Sequence, residues 1–427
     1  MEQNQNKIPL WIAIFININV IVGAAFFLGA AEVSQKSGML GPISWMIWGL
    51  IIFPIVLAFA KLSNFYPEAG GIYIYPKKEL GDFWGFVAGW GYFIATISGN
   101  AIIMHKFAIR FSELFFPTFI KNLDPNCLIF DFLLITFFSL FNLANINFLE
   151  NVQIIFTILK SIPLFFVVIS GFYLFNLNNI TSAPLNYHGF FESIPLVIFA
   201  YMGFEVCCAI THQIKDGEKN ASKAILISFG LIMAIYAILQ FFLLAIHGSQ
   251  TTFPFLEIFP KLTNNQTIIT IGNIIIDSAI MSSFLAGYYG LFYGNNWVLY
   301  ALAKEKSLPF NKQLTKLNIY KTPWICVILQ GLLTFGFLLI TQDTLYLISM
   351  SDFAIIIAYI LGSISFVAIL LRTKNTKNLI LGILAILSCS YFMYICIKEL
   401  AESGFQYLIP FLIILGFGLL LNKMKRK

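Results

Sequence analysis

Ionisable residues are scarce in this sequence. Asp, Glu, Lys and Arg make up 11% of its 427 residues, where a soluble domain carries about 25%, so little of the chain can face water. Histidine occurs four times. No HExxH, clustered aspartate pair or nucleophile–base pair stands in the apolar segments, which leaves a polytopic membrane enzyme without a catalytic constellation. No loop exceeds a few tens of residues and no GxxxxGK(S/T) pattern occurs, which argues against ATP-driven transport within this chain. The six cysteines (Cys127, Cys207, Cys208, Cys326, Cys389 and Cys396) show no CxxC spacing and read as small core hydrophobes rather than metal or disulfide partners. The net charge of +6 sits in short loops between apolar runs and gives no sign of nucleic acid. No small-residue cleavage pattern follows the polar start MEQNQNK, so the first apolar run is expected to be a retained helix, not a signal peptide.

Apolar surface is abundant instead: 59% hydrophobic residues, 46 phenylalanines and a mean hydropathy of +0.83. A spanning helix needs roughly 20 such residues. Runs of that kind fall near 8–30, 41–61, 83–108, 127–146, 152–175, 191–212, 224–247, 268–300, 323–341, 345–371, 378–397 and 404–422. They predict an all-α polytopic membrane protein with about 12 transmembrane helices. Lysine and arginine set the orientation, because cytoplasmic loops carry the excess. Nineteen fall at the N-terminus, in the loops after helices 2, 6, 8 and 10, and in the tail with Lys423, Lys425, Arg426 and Lys427. Six fall opposite (Lys36, Lys106, Arg110, Lys121, Lys261 and Lys398), and Lys160 lies inside helix 5. Both termini are therefore expected in the cytoplasm, with the chain in the cell membrane.

The polar residues inside these runs carry the chemistry. Helix 1 holds Asn17, Asn19 and Gly23-Ala24-Ala25, flanked by Ile21 and Phe26. Small residues there suit close helix contact, and equally an unwound segment whose free N–H groups face an anion. After helix 2, Pro67 and Gly70-Gly71 predict a structured loop, in which Glu68, Lys77, Lys78 and Glu79 read as solvated charges. In helix 3, Tyr92, Thr96 and Asn100 recur at i, i+4 and i+8 and share a face, serving either interhelical hydrogen bonds or a substrate pathway. Gly203 and Glu205 interrupt helix 6 at membrane depth, where a carboxylate is costly unless it is used. Lys160 lies ten residues into helix 5, roughly 15 Å of rise, too deep for easy snorkelling. Asp277 is expected to face solvent near the outer end of helix 8, and His212 and Lys215 to be solvated charges beyond helix 6. Tyr288, Tyr289, Phe292, Tyr293 and Trp297 of helix 8 read as walls of a pathway or as an interfacial belt.

Several pieces then align in order over about 300 residues. They are Pro67-Glu68-Ala69-Gly70-Gly71 with Tyr73 and Tyr75; Gly85-Phe86 with Gly89-Trp90; Phe199-Ala200-Tyr201 with Gly203-Phe204-Glu205; and Leu302-Ala303 with Leu308-Pro309 and Pro323. The set resembles the amino acid–polyamine–organocation superfamily of secondary transporters, and the likeness fades in the last two helices. The resemblance implies a 5+5 inverted repeat (8–175 and 191–371) with broken helices 1 and 6, plus two C-terminal helices in 378–422. Relatives read Gly-Ser-Gly at the helix 1 break and bind the substrate carboxylate there through backbone N–H groups. Here the Cβ atoms of Ala24 and Ala25 are expected to narrow the approach and stiffen the turn. Phe199 falls where relatives place an aromatic over the substrate, and the carbonyls near Phe199–Met202 would accept from its α-amino group. A lysine at the place of Lys160 stands, in sodium-independent relatives, where sodium-coupled ones hold the cation. It is then a proton-coupling residue, a fixed charge in an exchanger, or a carbonyl-bonded structural ammonium. Glu205 is a gate, a proton acceptor or the partner of a buried donor.

The expected function is amino acid transport by alternating access, proton-coupled and sodium-independent, with an amino acid/amine antiporter or a non-transporting sensor as alternatives. The expected binding set is Ile21, Gly23, Ala24, Ala25, Phe26, Tyr92, Thr96, Asn100, Phe199, Tyr201, Met202 and Gly203, with Lys160, Glu205 and Phe292 for gating and coupling. Partners are a small amino acid or amine, protons and lipid. The sequence is compatible with a homo-oligomer and calls for no cofactor or metal.

Overall fold

Each of the twelve apolar runs becomes a helix or a broken pair of helices. The computed structural model describes residues 7–118 and 124–424; Lys121, Lys425, Arg426 and Lys427, counted above for orientation, lie outside them. The first run splits into α1 (Leu10–Ile21) and α2 (Ala25–Ser37), bent by 49°. Then come α3 (Gly41–Phe65), α4 (Gly71–Leu80), α5 (Asp82–Phe115), α6 (Leu128–Asn142) and α7 (Ile146–Tyr173). The sixth run splits into α8 (Ile194–Tyr201) and α9 (Val206–Ala209). The remainder are α10 (Gly217–His247), α11 (Gln266–Lys304), α12 (Trp324–Ile340), α13 (Thr344–Arg372), α14 (Leu379–Ser403) and α15 (Ile409–Met424). Among the described residues, eight stretches are long and apolar enough to cross a membrane, counting Tyr187–Ala209 with its break as one, nine if α1 and α2 form one span, and α6, α12 and α15 are apolar but shorter.

Polar and apolar faces are arranged for lipid. On α7, Ile155, Ile158, Ile162, Phe165, Ile169 and Phe172 are exposed, whereas Gln153, Lys160 and Ser170 are buried. A continuous exposed apolar stripe with the polar groups inside is the signature of a membrane-facing helix. Cys127, Cys207, Cys208, Cys326 and Cys389 are buried and Cys396 is half-buried.

Three sequence expectations change. The stretch after α3 is not a simple loop: Gly70, at φ +72°, caps the start of the ten-residue α4. Its charges are not all solvated. Lys77 pairs with Glu305, and Glu79 accepts from Tyr66 Oη and from Arg372 at 2.8 Å with its side chain 3% exposed. Only Lys78 and Glu68, 3.5 Å apart, stay at the surface. Asp277 is likewise withdrawn from solvent by Arg110, whose Nη2 and Nε reach its Oδ2 at 2.6 and 2.9 Å. Glu305, Arg372 and Arg110 each lie far in sequence from the residue they hold.

Two features hold the broken helices together. α10 packs along both α1 and α3. At the lysine-rich end, Ile8 N–H donates to Gln213 O and Lys215 N–H to Ile8 O, both at 2.9 Å, tying the entry of α1 to the exit of α9.

Candidate functional site

α1 and α8 both stop in mid-span, so their last carbonyls lose intrahelical partners. The turn at 22–24 needs no left-handed residue: Ala24 sits at φ −74°, ψ −32°. The alanines therefore fit the break without backbone strain. Gly23 serves close approach instead. A Cβ on Gly287 of α11 would lie 3.3 Å from Gly23 Cα. Gly203 has the opposite reason, its φ of +103° being a conformation that side chains disfavour. Among the described residues, the N–H groups of Gly23 and Ala24 have no backbone partner, and that of Ala25 opens α2.

The freed carbonyls are taken by side chains from neighbouring helices. Asn17 Nδ2 donates to Phe204 O at 2.9 Å and to Ser228 Oγ at 3.0 Å. Tyr236 Oη, on α10, donates to Ile21 O at 3.1 Å and to Ala200 O at 3.2 Å, so one hydroxyl bridges both breaks. Asn19 Nδ2 donates to Gln153 of α7 at 2.6 and 2.9 Å.

A cavity of about 70 Å³ lies where the two breaks meet α5, α11 and α13. Ile21, Gly23, Ala24, Ala25, Thr96, Phe199, Met202, Gly203 and Glu205 line it. Other members of the expected set stand behind the wall. Phe26 stacks on Tyr236 with centroids 4.3 Å apart, Tyr201 Oη donates to Trp45 O, and Phe292 is fully buried against Tyr288. Tyr92 lies one turn below Thr96, bonded to Glu205. The Asn100 amide is buried with no partner among the described residues. Val20, Ala95, Gly99, Ile103, Leu291, Ser351 and Ile355 complete the lining and were not singled out from sequence. Gly99 and Ile103 were within reach, since they follow Thr96 at i+3 and i+7 on the same face. Leu291 and Ile355 carry no signal that separates them from any other apolar helix residue.

Glu205 forms the floor. Tyr92 Oη donates to its Oε1 at 3.0 Å, Tyr359 Oη to its Oε2 at 2.6 Å, and Gly203 N–H to Oε2 at 3.1 Å. These donors come from α5, from α13 and from the break itself, so the carboxylate joins three elements at one point. Its reading as the partner of buried donors describes this arrangement.

Lys160 stands behind the helix 1 break. Its Nζ donates to Val22 O at 2.6 Å and to Asn19 O at 3.0 Å, while Ser283 Oγ adds a bond to Val22 O at 2.7 Å. A cation at the C-terminal end of α1 is favoured by the helix dipole as well as by these carbonyls.

Two larger cavities flank the central one along the same helices. Toward the lysine-rich end, Tyr293, Trp297, His212, Lys304 and Glu305 border about 700 Å³. Toward the other end, Phe27, Lys106, Arg110, Phe253 and Asp277 border about 310 Å³. Along α11 the order is Asp277, then Leu291, then Tyr293 and Trp297, so the three cavities follow one another. His212 is not the solvated charge expected of it. Its ring packs edge-on against Trp297 at 4.5 Å and both ring nitrogens are buried. Burial, with Lys304 and Lys7 nearby, lowers its pKa from 6.5 to about 3. Lys215 is exposed, as expected.

The sequence model of the amino acid permease family matches residues 8–419. A serine/threonine exchanger of Bacillus subtilis is 26% identical over 88% of this chain and 85% of its own length. An arginine/ornithine antiporter of Lactococcus lactis is 24% identical over 99% and 90%, and a glutamate/serine transporter of B. subtilis is 25% identical over 86% and 71%. All three are membrane transporters rather than enzymes. Two mid-span breaks around one cavity and a family match over nearly the whole length agree: the chain belongs to the amino acid permease family.

Proposed function

We propose that this chain carries amino acids across the cell membrane by alternating access, without sodium and with coupling to protons. The observation that carries the reading is the meeting of both helix breaks at one small cavity with a larger cavity on either side. The α-carboxylate is assigned to the free N–H groups of Gly23, Ala24 and Ala25 at the positive end of α2, and the α-ammonium to carbonyls at the end of α8. Phe199 and Thr96 close the sides. Glu205, held by Tyr92 and Tyr359, is the gate toward the lysine-rich end, which this reading places in the cytoplasm with both termini. Residues 8–175 and 191–371 form the two repeats, each opening with a broken helix, and 378–422 is an addition to them.

Lys160 fills the position between α1 and α7 with its own charge, which supports sodium independence. Coupling follows if that lysine releases its proton when α1 moves away from it. Exchange is the second reading, supported by the names of the exchanger and antiporter relatives. The mechanism calls for no cofactor, metal or second copy; a homo-oligomer would leave the site as described. The test is uptake of radiolabelled amino acids and amines into proteoliposomes in sodium-free buffer. Accumulation driven by an imposed pH gradient supports coupling, whereas flux that needs a loaded counter-substrate and ignores the gradient supports exchange.

A further inference from the structure

We infer that the central cavity selects small neutral amino acids, those with a hydrogen, a short aliphatic group or a hydroxyl-bearing side chain. The inference rests on the transport reading above and concerns the part of the cavity that faces away from the helix breaks. The substrates named for the three relatives span neutral, basic and acidic amino acids, so the choice rests on the cavity walls.

Size is the first constraint. A cavity of about 70 Å³, at roughly 10–15 Å³ per water counted by the space open to its centre, holds about five to seven waters. At about 30 Å³ of liquid volume per water, that is room for an amino acid with a short side chain, with little left for an indole. The walls on this side are Ala95, Gly99 and Ile103 of α5, Leu291 of α11 and Ile355 of α13.

Charge is the second. Glu205 is the one ionisable side chain in the lining among the described residues, and both of its oxygens are already engaged by Tyr92, Tyr359 and the Gly203 N–H. A guanidinium or ammonium side chain would find Oε2 with two donors and Oε1 with one, which leaves it a single lone pair and no bidentate contact. An acidic side chain would meet no cation, because Lys160 points at Asn19 O and Val22 O and is not part of the lining. Burying either charge without a partner is strongly unfavourable.

Hydroxyls are the third. Thr96 Oγ1 spends its proton on Tyr92 O at 2.9 Å and Ser351 Oγ on Ala95 O at 3.0 Å. Each oxygen keeps lone pairs turned to accept. A substrate hydroxyl finds an acceptor there, while a methyl group loses little.

The test is competition against a saturably transported amino acid in proteoliposomes. Glycine, alanine, serine and threonine should inhibit at concentrations at least tenfold below those of arginine, lysine, aspartate, glutamate, phenylalanine and tryptophan. Ile355→Ala, or Ile103→Ala should the first fail to fold, should shift the balance at least tenfold toward leucine, the size of effect one side-chain contact produces. Arginine, glutamate or tryptophan carried as efficiently as alanine would overturn the inference while leaving transport standing. Absence of saturable flux for every amino acid would overturn the transport reading, and this one with it.

Discussion

Lys160 Nζ lies 2.6 Å from Val22 O, the carbonyl left free where α1 ends. The contact joins α7 to the moving part of the proposed mechanism, and it exists only because helix 1 is broken. Replacing the lysine removes both a charge and the donor to Asn19 O, a loss worth about 1–3 kcal/mol when a buried acceptor is left unpaired, while Val22 O keeps Ser283 Oγ. Lys160→Ala is expected to abolish gradient-driven accumulation while substrate binding stays measurable by isothermal titration or scintillation proximity. Unchanged accumulation rules out Lys160 as the coupling residue.

The Glu205 carboxylate takes three donors where a glutamine has a single acceptor oxygen. Glu205→Gln turns one acceptor into a donor facing Tyr359 or Tyr92, and the lost charged hydrogen bonds are worth about 1.5–3 kcal/mol each. Uptake measured at equal protein abundance should fall at least tenfold. Tyr359→Phe, which removes one donor, should fall less. Equal rates in all three proteins would remove Glu205 from the gate.

Tyr236 ties Ile21 O to Ala200 O, so its hydroxyl sets the spacing of the two half-sites. Tyr236→Phe keeps the stack on Phe26 and loses only the two hydrogen bonds. KM should rise about tenfold, equivalent to about 1.4 kcal/mol, with thermal stability reduced far less than by Tyr236→Ala. A change in stability with KM untouched would make Tyr236 a packing residue alone.

Much of this site could be read from the residues because burying polarity in a membrane is expensive. Glu205, Lys160 and the glycine at 203 are conspicuous among apolar neighbours, and hydropathy alone outlines the spans. What the residues hide is partnership. Glu79, Asp277 and His212 look solvent-facing until Arg372, Arg110 and Trp297 arrive from far along the chain. The Tyr92–Thr96–Asn100 stripe shares one face, yet only Thr96 reaches the cavity, since a helical period fixes a direction and not a distance. The α4 helix was masked by Gly70, which reads as a breaker but here precedes the first turn.

His212 gives a pH dependence. Its imidazole stays neutral in the folded protein down to about pH 3, whereas the unfolded chain protonates it below 6.5. Between those values the unfolded state binds the extra proton, so this contribution to stability is intact above pH 6.5 and is lost as pH falls toward 3. The Tm of the purified protein should drop between pH 7 and pH 5, and His212→Gln should make that drop smaller. An identical drop in the variant would mean that His212 is not held neutral.

Alternating access at the cavity is the central claim, and chemical access to Ala25 tests it most directly. A cysteine there (Ala25→Cys, with Cys396→Ser to remove the half-buried native thiol) stands at the start of α2 in the cavity wall. The account predicts that a membrane-impermeant thiol reagent labels it from either side of the membrane in turn, and that transported substrate slows labelling from both. Labelling from one side only, unaffected by any amino acid that the protein carries, would contradict it.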